Sequence, residues 1–389
     1  MQTRPITFVL MFVFCVTAQV AAQEPTGAAL FEAQCAMCHT PPGVERAPTL
    51  EVMGRRSPEA IVAALTDGVM ALQALSLSNA QRQAVAEFIT GRSVSADATV
   101  ASAGLCQSTL ALVDPLGGPY WSGWGAGGEN LRFQTAESAG LDFNQVPNLT
   151  LKWAFGFPQS TSAWAQPAVA GGRLFVGSQN GDIYALDART GCGYWTYSAR
   201  TGVRTAISVG PQGDGHALYF GDIGANVYAI DAETGAELWS RNVESHPGAR
   251  ITGAPTLHEG RLYVPVSSLE EALAGNAGYG CCTFRGSVVV LDAATGEQIW
   301  KSFTIPEEPS PRDTGPDGTT RSGPAGAAIW GAPTIDAERG LVYAATGNAY
   351  TQPAAETSDA IVAFDIDTGE IRWFNQLTPA DAFIVGCGG

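Results

Sequence analysis

The sequence is poor in charge, and poorest in positive charge. Only 15 % of its 389 residues are Asp, Glu, Lys or Arg, and 21 basic residues face 37 acidic ones, a formal net charge of −16. Without a basic patch there is no electrostatic footprint for nucleic acid, and no polybasic segment to draw the chain to an anionic bilayer. Beyond the first apolar run, which ends at Val16, nothing approaches the length of a membrane span. What is present is an apolar fraction of 45 %, enough to bury a core and to exclude global disorder. Gly (46) and Pro (23) are abundant, a load that suits turn-rich β structure better than helices.

The apolar run lies at the start. Arg4, the stretch Ile6–Val16 and the small residues Val20-Ala21-Ala22 before Gln23 read as a secretory signal peptide over 1–22. A mature protein in the periplasm is expected. Cys15 would leave with the signal, and the other seven cysteines would meet an oxidising compartment.

Cys35-Ala36-Met37-Cys38-His39 is a C-x-x-C-H motif. Two thiols add to the two vinyl groups of a haem, and the adjacent imidazole reaches the iron, so this order signals covalent haem c. Downstream, 49–68 reads as helix interrupted at Ser57-Pro58, and 77–89 as an amphipathic helix with Ser78 as its N-cap. Met70 precedes that last helix and is the expected second axial ligand; Met53 is expected in the core. A His/Met pair leaves the iron no open position, so the haem transfers electrons and does not bind oxygen. The pattern resembles a class I cytochrome c and implies a small all-α domain over 23–92.

Residues 93–114 read as a linker, after which the chain repeats itself. Asp187–Trp195, Asp231–Trp239, Asp292–Trp300 and Asp365–Trp373 share the frame D-x-x-T-G-x-x-x-W, each preceded by alternating strands. Repeats built from strands indicate a β-propeller, with Asp and Thr bonding turn amides, Gly at positive φ and Trp packing between blades. The repeats resemble the tryptophan-docking repeat of pyrroloquinoline-quinone (PQQ) dehydrogenases. Repeat spacing grows from 44 to 61 to 73 residues, and the added residues fall in loops, where sites reside.

Together, an N-terminal cytochrome and the segment YGCCTFRGSVVVLDAATG resemble the polyvinyl-alcohol dehydrogenase (cytochrome) family of quinohaemoproteins. That resemblance, over about residues 28–389, implies PQQ and calcium beside haem c. It implies that a vicinal Cys281–Cys282 ring lies flat on the quinone, that Arg285 meets a PQQ carboxylate, that Thr252 contacts PQQ and that Trp330 is the platform beneath it. Glu270 and Asn348 would ligate calcium, with Glu271 the adjacent alternative. The catalytic base is expected at Asp381, although the aligned base position falls on Ile384. Once the haem and vicinal pairs are set aside, Cys106 and Cys192 remain to form a disulfide and Cys387 is odd.

The implied activity is oxidation of alcohols, polymeric secondary ones such as polyvinyl alcohol, with electrons leaving through the haem to an external acceptor such as a soluble cytochrome. The alternatives are a quinohaemoprotein for sugars or small primary alcohols, and a non-catalytic haem-tagged scaffold. A scaffold needs neither the cysteine pair nor Trp330 and Asn348. The expected fold is therefore a class I cytochrome c followed, over 115–389, by an all-β PQQ-type propeller. PQQ propellers of this resemblance have eight blades, of which 115–389 provides about four or five, so a fragment of a longer protein is expected.

Overall fold

A computed structural model describes residues 25–40, 47–66, 70, 73, 74, 77, 79–93, 104–107, 110–158, 160, 163–275, 279–314 and 318–384. The signal segment, Cys15, Ser78, part of the linker and Cys387 lie outside them. Among the described residues no helix is long and apolar enough to cross a membrane.

The N-terminal part is helical: α1 (Gly27–Gln34), α2 (Ala36–His39), α3 (Leu50–Gly54), α4 (Pro58–Thr66) and α5 (Asn79–Thr90). Thr26 caps α1 by accepting from Ala29 N. Pro58 opens α4, where its missing N–H costs nothing. Packing against Val85, Ala86 and Ile89 of α5, the residues Leu30, Phe31, Ile61 and Leu65 form a buried core. Gly27 permits the closest approach, because a Cβ there would collide with the backbone of Ala84 in α5.

A short helix α6 (Ala136–Ala139) precedes the sheets. The first antiparallel four-stranded sheet comprises β1 (Ala168–Ala170), β2 (Arg173–Gly177), β3 (Asp182–Asp187) and β4 (Gly193–Ser198). The second comprises β5 (Ser208–Gln212), β6 (Gly215–Gly221), β7 (Asn226–Asp231) and β8 (Glu237–Asn242). Next come β9 (Ala249–Arg250), β10 (Thr256–His258), β11 (Arg261–Ser268), helix α7 (Glu270–Leu273), β12 (Ser287–Asp292) and β13 (Gln298–Phe303). After the hairpin β14 (Ser310–Thr314) and β15 (Thr320–Gly323), the last sheet is β16 (Thr334–Asp336), β17 (Leu341–Ala345), β18 (Ala360–Asp365) and β19 (Ile371–Gln376). The inner strands β1, β5, β10 and β16 neighbour one another in that order, the arrangement of successive propeller blades.

Local chemistry explains each blade. In the first D-x-x-T-G turn Asp187 Oδ1 accepts from Arg189 N, Thr190 N and Thr190 Oγ1. Asp231, Asp292 and Asp365 make the equivalent bonds to Thr234, Thr295 and Thr368. The glycines that follow, Gly191, Gly235, Gly296 and Gly369, have φ of 77, 76, 72 and 74°, where a side chain is disfavoured. Each carries an indole, from the segment before β1 for Gly191 and from the preceding blade for the other three. A Cβ on these glycines would stand 2.6–2.7 Å from the rings of Trp153, Trp195, Trp239 and Trp300 respectively. Trp373, last in the series, is 44 % exposed.

A glycine-rich strap ties the blades together. Trp121 pairs with Val169 of β1, Gly123 N donates to Ile207 O, and Ser122 Oγ accepts from Val209 N of β5. Gly128 lies on Thr256 of β10. Its carbonyl accepts from Ile335 N of β16, and Asn130 Nδ2 donates to Pro333 O. Before the strap, the Cys106–Cys192 disulfide pins the chain to the first D-x-x-T-G turn, closing a separation of 86 residues. Replacing both cysteines by serine is expected to lower the unfolding free energy by ~2–4 kcal/mol, measured by urea unfolding followed by tryptophan fluorescence.

Candidate functional site

Two sites emerge. The first is a cavity of about 500 Å³ within the helices, lined by Cys35, Cys38, His39, Met53, Met70, Leu65, Val85 and Ile89 among others. His39 is buried, and its Nδ1 donates to Pro48 O at 2.7 Å. A carbonyl can only accept, so the proton sits on Nδ1 and Nε2 keeps its lone pair for a metal. Burial, and then the neighbouring Cys38, push the Cys35 thiol up. The motif and the apolar lining fit a haem. Met53 and Met70 both line the cavity, so the structure places both candidate sulfurs in it. Gly68 and Val69 lie outside the described residues.

The second site forms where the inner strands begin. Strand pairing aligns Ala168, Ser208, Thr256 and Thr334, which face Phe175, Tyr219, Tyr263 and Tyr343. Four residues before each lies one member of a set at the same end of neighbouring strands: Trp164, Arg204, Thr252 and Trp330. Arg204 stacks 4.1 Å over the Trp164 ring, a cation–π contact. Burial lowers its guanidinium pKa. Thr252 Oγ1 bonds Ser267 Oγ at 3.1 Å and donates to Trp330 O at 3.3 Å. The Trp330 indole lies on Gly347, next to Asn348, and is 37 % exposed. Asn348 Nδ2 donates to Ala349 O and Phe383 O, which turns Oδ1 the other way.

Arg204 and Trp164 escaped the motif reading. The signal that reveals them is the offset from each inner strand, recoverable by superposing the repeats on the start of each inner strand.

Cys281 and Cys282 form a vicinal disulfide. Cys281 O accepts from Ser322 N, and Cys282 N donates to Ser322 O beside β15. Arg285 is directed elsewhere: Nη1 donates to the carbonyls of Ile305, Pro306 and Glu307, and the guanidinium lies over Phe303.

Glu270 is fully buried. Its two oxygens accept from Thr283 N, Phe284 N and Tyr279 Oη at 2.8–3.2 Å, and His246 Nε2 stands 3.3 Å away. Burial alone would raise this carboxyl, but the bonds from His246 and the two amides outweigh it and hold it below the ordinary range. Glu271 behaves differently. Burial, and then the Glu270 charge, push it up, and its Oε2 is buried with no hydrogen-bond partner.

Asp381 lies against Asn348's neighbour, accepting from Ala349 N through its backbone carbonyl. Burial, then the Asp381 charge, raise the carboxyl of Asp359. Ile384 is exposed and offers no proton chemistry. Among the described residues no group of three or more His, Cys, Asp or Glu is placed to hold a metal ion. A second cavity, of about 310 Å³ beside the strap, is lined by Gly125–Asn130, Leu131, Phe133, His258, Ile335 and Ala337 and contains none of the candidate site residues.

Trp-docked blades and a C-x-x-C-H cavity define a cytochrome c domain joined to a PQQ-type propeller fold. Residues 107–385 match the PQQ-repeat family model described as outer membrane protein assembly factor BamB, and the chain belongs to that family. Residues 22–89 match the model described as cytochrome c oxidase, cbb3-type, subunit III. Within this setting the chain is a homologue of polyvinylalcohol dehydrogenases. It is 42 % identical over 381 residues to one from Pseudomonas sp, covering 93 % of this chain and 59 % of that protein. It is 38 % identical to one from Sphingopyxis sp. (strain 113P3), covering 95 % and 58 %. The chain thus spans less than two thirds of the length of these relatives. The solved quinohemoprotein alcohol dehydrogenase of Comamonas testosteroni superposes with a TM-score of 0.53 at 27 % identity, over 68 % of this chain and 42 % of that one. Further relatives are a quinohemoprotein alcohol dehydrogenase of Comamonas testosteroni, 29 % identical over 68 % of this chain and 39 % of that protein, and a lanthanide-dependent methanol dehydrogenase of Methylacidiphilum fumariolicum (strain SolV), 26 % identical over 62 % and 36 %.

Proposed function

We propose that the chain serves a periplasmic quinohaemoprotein that oxidises secondary alcohols, polymeric ones such as polyvinyl alcohol included. Its electrons would leave through the haem to an external acceptor such as a soluble cytochrome. The observation that carries this reading is one chain holding both a haem cavity and a propeller with a vicinal disulfide. A scaffold has no use for either. The reading takes the haem domain as 23–92, the linker as 93–114 and the propeller as 115 onward, four blades of a larger ring.

When bound, PQQ accepts two electrons from the alcohol and haem c passes them on singly. The chain's own residues prepare both places. Cys35 and Cys38 would hold the haem through thioether sulfurs, and His39 Nε2, oriented through Pro48 O, would offer its lone pair to the iron. Met70 is our choice for the distal sulfur. Met70→Ala is expected to turn the haem high-spin in its absorption spectrum while Met53→Ala leaves it low-spin; the reverse result assigns the ligand to Met53.

In the propeller, Trp330 offers a flat face and Thr252 a hydroxyl beside it, and the Cys281–Cys282 ring offers a second face. Arg204 is the guanidinium we assign to a quinone carboxylate, since Arg285 is bound to three carbonyls. For a cation, Glu270 does not fit as a ligand, because protein donors already occupy both its oxygens. Glu271 Oε2 and Asn348 Oδ1 are open oxygen donors of the kind a hard cation prefers. They are too few to form a cage, and no step is derived through a metal. Asp381 remains our candidate for taking the alcohol proton.

The test uses the protein that carries this chain, purified from periplasm and given PQQ and calcium or a lanthanide. Secondary alcohols and polyvinyl alcohol are expected to reduce its haem. Reduction by sugars or primary alcohols alone would replace the substrate, and no reduction by any of them would favour the scaffold.

A further inference from the structure

We propose that Glu270 is the brace of the vicinal disulfide, a positioning residue that fixes the peptide immediately behind Cys281–Cys282. The assignment holds whether or not that ring meets a quinone. Residues Thr283 and Phe284 follow the ring directly. Their amides both point at the Glu270 carboxylate, at 2.9 and 2.8 Å, so one buried side chain sets two consecutive peptide planes. On its other side the ring is paired with the backbone of Ser322. The ring is therefore held from both flanks, by a strand edge and by a carboxylate.

The carboxylate is itself held. Gly248 N donates to His246 Nδ1 at 3.1 Å, so in a neutral imidazole the proton is on Nε2. Nε2 lies 3.3 Å from Glu270 Oε1 and 3.2 Å from Thr283 Oγ1, touching both the brace and the residue it braces. The imidazole packs edge-on against Phe284. Tyr279 Oη donates to the same Oε1 from the loop before the ring. Residues on both sides of the cysteine pair thus converge on one fully buried side chain. Buried charge is tolerable only with such complete satisfaction, and a cation ligand would need a free lone pair that Glu270 does not keep.

The test compares the two disulfides of one molecule. The full chain with its haem is treated with a neutral phosphine, whose attack is indifferent to a lost charge, then alkylated and mapped by mass spectrometry. Glu270→Gln keeps the shape but turns an amide group toward the two backbone N–H donors. It is expected to speed reduction of Cys281–Cys282 at least about tenfold, since charge-assisted bonds are lost. Cys106–Cys192 should stay within about twofold, as a site without shared partners. His246→Gln should shift the same ratio in the same direction by less, and provides the measurement if Glu270→Gln does not fold. Amide exchange at Thr283 and Phe284 should accelerate in step. Equal acceleration of both disulfides, or no change at Cys281–Cys282, overturns the proposal. So does a Glu270→Gln protein whose only defect is weakened terbium binding, because that is the behaviour of a cation ligand.

Discussion

Replacing both Cys35 and Cys38 by serine is expected to leave a polypeptide that shows no haem stain after denaturing electrophoresis, whereas the unaltered protein keeps its stain. Without both thiols no thioether can form, and His39 alone holds a haem only while the fold persists. The substitution should also unfold the helical part. The cavity of about 500 Å³ is apolar and lies among Phe31, Ile61, Leu65, Val85 and Ile89. At roughly 24 cal/mol per Å³, an unfilled space of that size costs on the order of 10 kcal/mol. That matches the whole stability of an ordinary domain, ~5–15 kcal/mol. The expected observation is loss of far-UV helical signal from α1–α5 with the β signal retained. Haem that survives denaturant in the double variant would refute attachment through Cys35 and Cys38.

Trp239→Ala should be the most damaging single change among the blades. The indole is 7 % exposed, covers Gly296 of the next blade, and donates from Nε1 to Ala293 O at 3.0 Å. Truncation removes the packing and leaves that carbonyl without its donor, a combined cost of ~3–5 kcal/mol. Gly296→Ala attacks the same contact from the other side. Its methyl would stand 2.7 Å from the ring, at a φ of 72°. The left-handed conformation alone costs roughly 1–2 kcal/mol, before the ring is displaced. In a polypeptide ending at residue 389, where its indole is 44 % exposed, Trp373→Ala is the control and should change stability by only ~0.5 kcal/mol, as surface substitutions do. Urea midpoints for the three variants decide the matter, and equal losses at Trp239 and Trp373 would show that docking on glycine contributes nothing.

What could be read in the sequence was what is local. The D-x-x-T-G frame closes its hydrogen bonds within three residues, so Asp187 and its three counterparts announce their turns without any tertiary information. Pro58 marks the start of α4 for the same reason. C-x-x-C-H is a local constellation, and its cavity follows. Pairing of Cys106 with Cys192 was reached by elimination, and the fold brings the two together. The rest depends on partners far along the chain. Nothing near Glu270 says that His246, Thr283 and Phe284 will consume its lone pairs and leave Glu271 Oε2 without a donor. The free guanidinium of Arg204 and the occupied one of Arg285 look alike until β1 and β5 are set side by side. In the strap, Gly123–Gly128 carries no local motif, because its bonds lead to inner strands up to about two hundred residues later.

That last separation has a temporal meaning. Asn130 precedes Pro333, its partner, by 203 residues, and at ~5–20 residues per second the interval between their syntheses is about 10–40 s. Each blade is a meander of adjacent strands and can close as soon as it appears. The strap cannot, since its docking ground is shared among β1, β5, β10 and β16. The first-made portion of the β-rich part is thus seated last, and until then Trp121 and Ser122 lack their partners on β1 and β5. Once seated, it works as a late lock: contacts formed after the rate-limiting step retard unfolding without hastening folding. Loosening the strap, by Asn130→Ala for example, should therefore shorten the lifetime of the native state and leave the rate of its formation unchanged.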